Sequence, residues 1–363
     1  MALGKLITGI FCGCFAATLY AQHAPAAWNE KSATAYLDRR IAWWMDWPSA
    51  ARDHETFCVS CHTAVPYAVV RPALRTGADV QTPSALERRL LDNVTRRVRM
   101  WKEMEPFYPT KKEGDPKTVE SRGTESILNA LILARYGEAA GEFTADARTA
   151  FDHMWAQQIK TGDARGAWPW LQFHNSPWEG DSEYYGATLA AIAIGMAPGN
   201  YRSTPEIRDG LKLLSGYLVR EQASQIPVQR VMLLWASAKL PGLLSGAQQK
   251  AIVDETLAKQ QADGGFSLSS LVAGWKRRDG TPLETRSDGY ATGLILFALR
   301  QAGASPAQPQ IERGLEWLIS NQQAGGNWLA WSLNKQRDLA SDAGHFMGDA
   351  ATAYAALALS NAK

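Results

Sequence analysis

The chain has 363 residues, 46% of them hydrophobic and 20% charged, with a formal net charge of +2. That composition supplies a large core and excludes wholesale disorder. So small a net charge, with no interleaving of basic and aromatic residues, gives no footprint for nucleic acid.

In chain order, the first element is "LITGIFCGCFAATLYA", with Lys5 ahead of it and small residues after it. A charged start, a short apolar run and an Ala-rich end predict a signal peptide over residues 1–26, cut after Ala21 or Ala26. The apolar run is short for a membrane span, which needs about twenty residues; a retained N-terminal anchor is the alternative. Cutting removes Cys12 and Cys14 and leaves Cys58 and Cys61 as the only cysteines of a periplasmic or secreted chain. Residues 27–363 are then expected to form one domain.

The helix predicted over "SATAYLDRRIAWWMDWP" has Leu37, Ile41 and Trp44 on one face, with Pro48 beyond its end. "CVSCH" follows at 58–62. Four readings compete for it: a disulfide or thioredoxin-type redox pair, a zinc site, a chance match, and covalent haem c. A βαβ context for the redox pair and a second ligand pair for zinc are both missing from the sequence. Two thiols three positions apart can form thioethers to the two vinyl groups of a haem, and the adjacent imidazole then ligates the iron. The pentapeptide is similar to the attachment motif of c-type cytochromes. That resemblance implies one covalent haem c on Cys58 and Cys61, with His62 as the proximal iron ligand.

"SALERRLLDNVTRRVRMWKEM" predicts an amphipathic helix with a Ser84/Glu87 capping box. Its basic run, Arg88, Arg89, Arg96, Arg97, Arg99 and Lys102, reads as a solvated face. Thereafter amphipathic stretches starting near 143, 204, 244 and 306 alternate with apolar, small-residue stretches starting near 123, 182, 227, 287 and 348. With starts near 32 and 84 for the first kind and 62 for the second, this gives six pairs. One wet face suits an outer helix, and a helix apolar on most sides is covered by neighbours on both flanks. The expected fold is all-α, an (α/α)6 toroid of six outer and six inner helices.

"RGLEWLISNQQAGGNW" sharpens this expectation. Arg313, Gly314, Trp317, Gln322, Gly326 and Trp328 resemble the QW motif of squalene–hopene cyclases and related terpenoid cyclases, with degenerate copies at 259–266 and near 155–168. The resemblance implies the toroid shared by terpenoid cyclases and prenyltransferases, with the Gln and Trp as structural clamps. The Asp-x-Asp-Asp and Asp-Asp-x-x-Asp motifs of those cyclases are absent from the sequence, as is a spare Cys for the zinc site of prenyltransferases.

Acids stand where the inner helices begin: Glu125, Asp181, Glu183, Asp288 and Asp349. They are either general acid/base residues at the mouth of the ring or helix caps. Ring closure brings the last inner helix beside the first, so Met347, with His345 as the alternative, is the expected distal iron ligand. His174, Met100 and Met104 are weaker candidates. The expected function is haem-linked electron transfer with a redox partner protein, or redox chemistry on an apolar ligand such as a lipid or isoprenoid. The alternatives are a non-redox enzyme, cyclase-like or carbohydrate-active, and a haem-based sensor or scaffold.

Overall fold

A computed structural model describes residues 1, 27–75, 82–173 and 182–360. The predicted signal peptide and the candidates His174 and Asp181 lie outside the described residues. Among the described residues no helix is long and apolar enough to cross a membrane.

Twelve α-helices fill the described chain and alternate between two layers. The outer ones are α1 (Glu30–Asp46), α3 (Ala85–Arg99), α5 (Ala145–Ala156), α7 (Arg208–Glu221), α9 (Gly246–Leu257) and α11 (Pro309–Asn321). Between them in sequence run the inner helices α2 (Ala64–Val70), α4 (Lys117–Ala140), α6 (Glu183–Met196), α8 (Pro227–Lys239), α10 (Gly289–Gln301) and α12 (Phe346–Leu359). Each inner helix packs on the next, and α12 packs on α2, so the ring closes. Small residues make the inner contacts tight: a Cβ added to Gly293 of α10 would lie 2.5 Å from the Ala355 nitrogen of α12. The ring interior is filled, not hollow. Trp235 of α8 meets Phe297 of α10 and, across the ring, Tyr354 of α12, with ring centroids 5.0 and 6.4 Å apart.

The outer layer is fastened by one device used three times. At the end of α11, Gln322 accepts from the Asn29 backbone N–H at 2.7 Å and donates to the Asn29 carbonyl at 3.0 Å and the Gly326 carbonyl at 3.1 Å. Asn29 is the N-cap of α1, so this clamp ties the last outer helix to the first. Trp328, fully buried, donates its indole N–H to the Leu318 carbonyl at 2.8 Å. Gly326 has φ +91°, and a Cβ there would come within 2.2 Å of the Ser32 carbonyl oxygen, so only glycine fits. Gln260 repeats the pattern onto the Gly264 and Gln310 carbonyls, joining α9 to α11, and Gln158 onto the Gly166 and Gly210 carbonyls, joining α5 to α7. Gln322→Ala strands paired backbone groups of the closing clamp. Because the Asn29 groups are exposed and can rehydrate, it is expected to cost about 0.5–1.5 kcal/mol, measurable as a lowered midpoint in urea unfolding.

Three details depart from the sequence reading. A two-residue antiparallel ladder, β1 (Ala51–Arg52) with β2 (Thr56–Phe57), precedes the Cys-x-x-Cys-His segment. Its turn carries positive φ at His54 and Glu55, and neither residue signals a hairpin in sequence. Helix α4 starts at Lys117, not near 123, because the polar stretch 117–122 is already helical. Arg97 is not on the solvated face of α3; it is fully buried.

Candidate functional site

A cavity of about 310 Å³ opens at one end of the ring, and the Cys-x-x-Cys-His segment lines it. Its wall is assembled from parts far apart in sequence. Outer helix α1 gives Trp44; residues 58–62 give Cys58, Cys61 and His62; the loop after α3 gives Phe107 and Tyr108. Helix α4 adds Thr124 and Leu128, and Leu171 and Phe173 follow from the loop before α6. The loop ahead of α12 contributes Ser332, Leu333, Asn334, Arg337 and Ala343, and the first turn of α12 gives Phe346 and Met347. The lining is mostly apolar, and none of the described lining residues is a carboxylate.

His62 is fixed on three sides. Its ring stacks on Phe346 with centroids 3.9 Å apart and meets the edge of Trp44 at 4.9 Å. Its Nδ1 lies 2.8 Å from Thr63 Oγ1. The Thr63 hydroxyl in turn donates to Asp349 Oδ2 at 2.8 Å. A carboxylate only accepts, so the hydroxyl spends its one proton on Asp349 and must accept from His62. The imidazole proton therefore sits on Nδ1, and Nε2 keeps its lone pair, the form that binds a metal. Burial first, then the charges of Arg40 and Arg337, pushes the His62 pKa down to about 3, so the ring is neutral at ordinary pH.

Asp349 is a hub, not a solvent-facing acid. Its Oδ1 accepts from Tyr36 at 2.9 Å and from Arg40 Nε at 2.8 Å, which ties α12 to α1 and, through Thr63, to the start of α2. Burial pushes its carboxyl up from the usual range, against the pull of Arg40 and the two hydroxyls.

Cys58 and Cys61 are not joined by a disulfide. Tyr108 lines the cavity with Cys58, and the Cys58 carbonyl accepts from the Trp44 indole at 2.7 Å. Burial pushes the Cys58 thiol up to about 11, so it stays protonated. Among the described residues no three His, Cys, Asp or Glu side chains converge as ligands for a single metal ion. Zinc needs such convergence.

Met347 lines the cavity and His345 does not; His345 stands at the N-cap position of α12 without a side-chain cap bond, its ring centroid 6.3 Å from that of Tyr36. Met104 is buried beside Arg97. Of the acids read as candidates, Asp288 caps α10, accepting from the Ala291 N–H at 2.9 Å and the Leu268 N–H at 2.5 Å. Glu183 is the first residue of α6, whose cap is Ser182. Glu125 lies inside α4, paired with Arg97 at 2.6 Å, because the helix starts earlier than its apolar stretch. None of these three lines the cavity. Sequence reading missed Tyr108, Thr63 and Arg337; Thr63 alone had a signal, its place directly after the motif.

No family model matches the chain, and no curated protein is similar to it in sequence. The fold has solved relatives. A glycosidase variant superposes with a TM-score of 0.51 at 11% identity, over 91% of this chain and 96% of that one. A polysaccharide lyase does so with a TM-score of 0.50 at 13% identity and the same coverage. The wild-type glycosidase gives 0.50 at 12%, again over 91% and 96%. At these identities the likeness is one of fold, the (α/α)6 toroid.

Proposed function

We propose that the chain carries one haem c at the open end of the toroid and works in electron transfer, or in haem-linked oxidation or reduction of an apolar ligand. The observation that carries this reading is the place and tautomer of His62: it lines the cavity beside the two cysteines and gives its Nδ1–H to Thr63, which leaves the Nε2 lone pair uncommitted by that bond. In this reading Cys58 and Cys61 would hold the porphyrin through thioethers, and His62 would be the imidazole ligand. Bound in this way, haem supplies one-electron redox chemistry at iron. The chain's own residues hold the imidazole by stacking and by the Thr63–Asp349 pair, and line much of the rest of the cavity with apolar side chains. Met347, on the same cavity wall, would be the second residue available to the iron, and a thioether there would raise the potential relative to a second histidine. Attachment of this kind requires export, which matches the leader-like start, and electron transfer would require a redox partner protein. The QW-like clamps favour a toroid of the cyclase and prenyltransferase kind, whose cavities suit lipids or isoprenoids.

A second reading has one observation in its favour: the solved proteins that share the fold include two glycosidase structures and a polysaccharide lyase. A hydrolase of the usual design needs two carboxylates across the bound sugar, and the described cavity wall offers none.

The test is to express the full chain in a host able to attach haem and to stain a denaturing gel for covalent haem. Stained protein whose reduced spectrum has the sharp α band of a c-type haem is the expected result, with stain lost in Cys58→Ser and Cys61→Ser. A colourless chain that cleaves a polysaccharide would replace the first reading with the second.

A further inference from the structure

We propose that Arg337 is the recognition point for a carboxylate carried by an apolar body, held at the mouth of the cavity. Arg337 lines the cavity from the loop between α11 and α12 and is half-buried. Among the described residues it makes neither a hydrogen bond nor an ion pair. Its neighbours are different. Arg40 is spent on Asp342 and Asp349, and Arg277 on Glu284. Ser332 and Asn334, on the same loop and the same cavity wall, add a hydroxyl and an amide that can donate.

A second recess of about 360 Å³ adjoins the first and shares Ser332 and Arg337 with it. There Arg286 lies over the Trp331 ring, 4.1 Å from its centroid. A half-buried guanidinium with no ion-pair partner among the described residues, on the wall of a mostly apolar cavity, is matched by a planar, singly charged acceptor: the fork of two N–H groups fits both oxygens of a carboxylate. A dianion such as a phosphate monoester fits less well, because Asp338 stands on the wall of the adjoining recess. The same cavity is lined by Leu333, Leu128, Leu171 and Phe173, so the remainder of the ligand is apolar.

Two sources have this chemistry: the propionate of a haem seated here, which rests on the function proposed above, and a free fatty or aromatic acid, which does not. The experiment separates them. Octanoate and its uncharged analogue 1-octanol are titrated by calorimetry into haem-free full-length protein, into protein made with haem attachment, and into Arg337→Gln and Arg337→Lys. In haem-free protein, wild type is expected to bind octanoate about tenfold or more tightly than Arg337→Gln does, with Arg337→Lys between them and 1-octanol indifferent to all three. Arg337 makes no bond that folding depends on, so the melting temperatures should coincide. Octanoate binding that disappears once haem is attached assigns the site to a propionate; binding that persists assigns it to a free acid. Equal affinity of wild type and Arg337→Gln for octanoate, or no binding by either, overturns the proposal. If no haem can be attached, the function proposed above fails while the haem-free titration is still read.

Discussion

Asp349→Ala is expected to destabilise the protein by about 3 kcal/mol, the lower end of the range for breaking a buried ion pair. The carboxylate is almost fully buried and takes three donors, Arg40, Tyr36 and Thr63. Removing it leaves the Arg40 Nε and two hydroxyls without their acceptor in a site that water does not reach. Arg40 still holds the exposed Asp342 at 3.0 Å, which is why the lower end applies. Urea unfolding measures the loss, and Asp349→Asn, which keeps the shape and one acceptor oxygen, should lose less. An unchanged unfolding midpoint in Asp349→Ala would mean the hub does not fasten α1, α2 and α12 together. In haem-loaded protein Asp349→Asn has a second expected effect. With a weaker acceptor behind Thr63, the His62 imidazole becomes a poorer electron donor, and the midpoint potential rises. Thr63→Val should move the potential the same way with a smaller loss of stability. A purely structural role for the pair would leave the potential where it was.

The ring itself was legible because two periodicities alternate. Amphipathic α3 and apolar α6 or α10 cannot exchange places without exposing a core or burying charge. The glutamine clamps were legible because their geometry needs fixed types: an amide that both donates and accepts, and a glycine at positive φ. What the spacing could not give is which single side chain turns inward. Arg97 reads as one of a basic run, yet it falls on the same face as Leu90, Val94 and Val98, and that periodicity was its only signal. His345 and Met347 stood as alternatives for one role. They are two residues apart at a helix start, roughly 200° around the axis, so they face different ways, and Met347 takes the cavity side. Arg337 and Tyr108 sit in loops, where no period exists to place a side chain.

Glu125→Ala is expected to cost about 3–5 kcal/mol, more than any substitution on the surface. Glu125 and Arg97 are both fully buried, with Nε–Oε1 at 2.6 Å and Nη2–Oε2 at 3.2 Å. Burial still pushes the Glu125 carboxyl up, so Arg97 offsets the desolvation only in part. The pair earns its place by what Arg97 does with its other donors. Nη1 reaches Thr56 Oγ1 at 2.8 Å, and Nη2 reaches the Glu105 carbonyl at 2.7 Å. One guanidinium thus pins both the β2 strand that leads into Cys58 and the loop that carries Phe107 and Tyr108 to the cavity. Loss of Glu125 leaves the buried Arg97 with only the more distant Asp53, at 3.5 Å, as counter-charge while it holds two walls of the site. The paired variant Arg97→Met with Glu125→Leu should recover much of the unfolding free energy, since apolar replacement of a whole buried pair is often neutral. It should not recover the order of the 104–108 loop, which hydrogen exchange at Glu105 and Tyr108 would report. If instead Glu125→Gln unfolds like wild type yet abolishes an activity, the residue acts on substrate, and its place away from the cavity would need a route that the described structure does not contain.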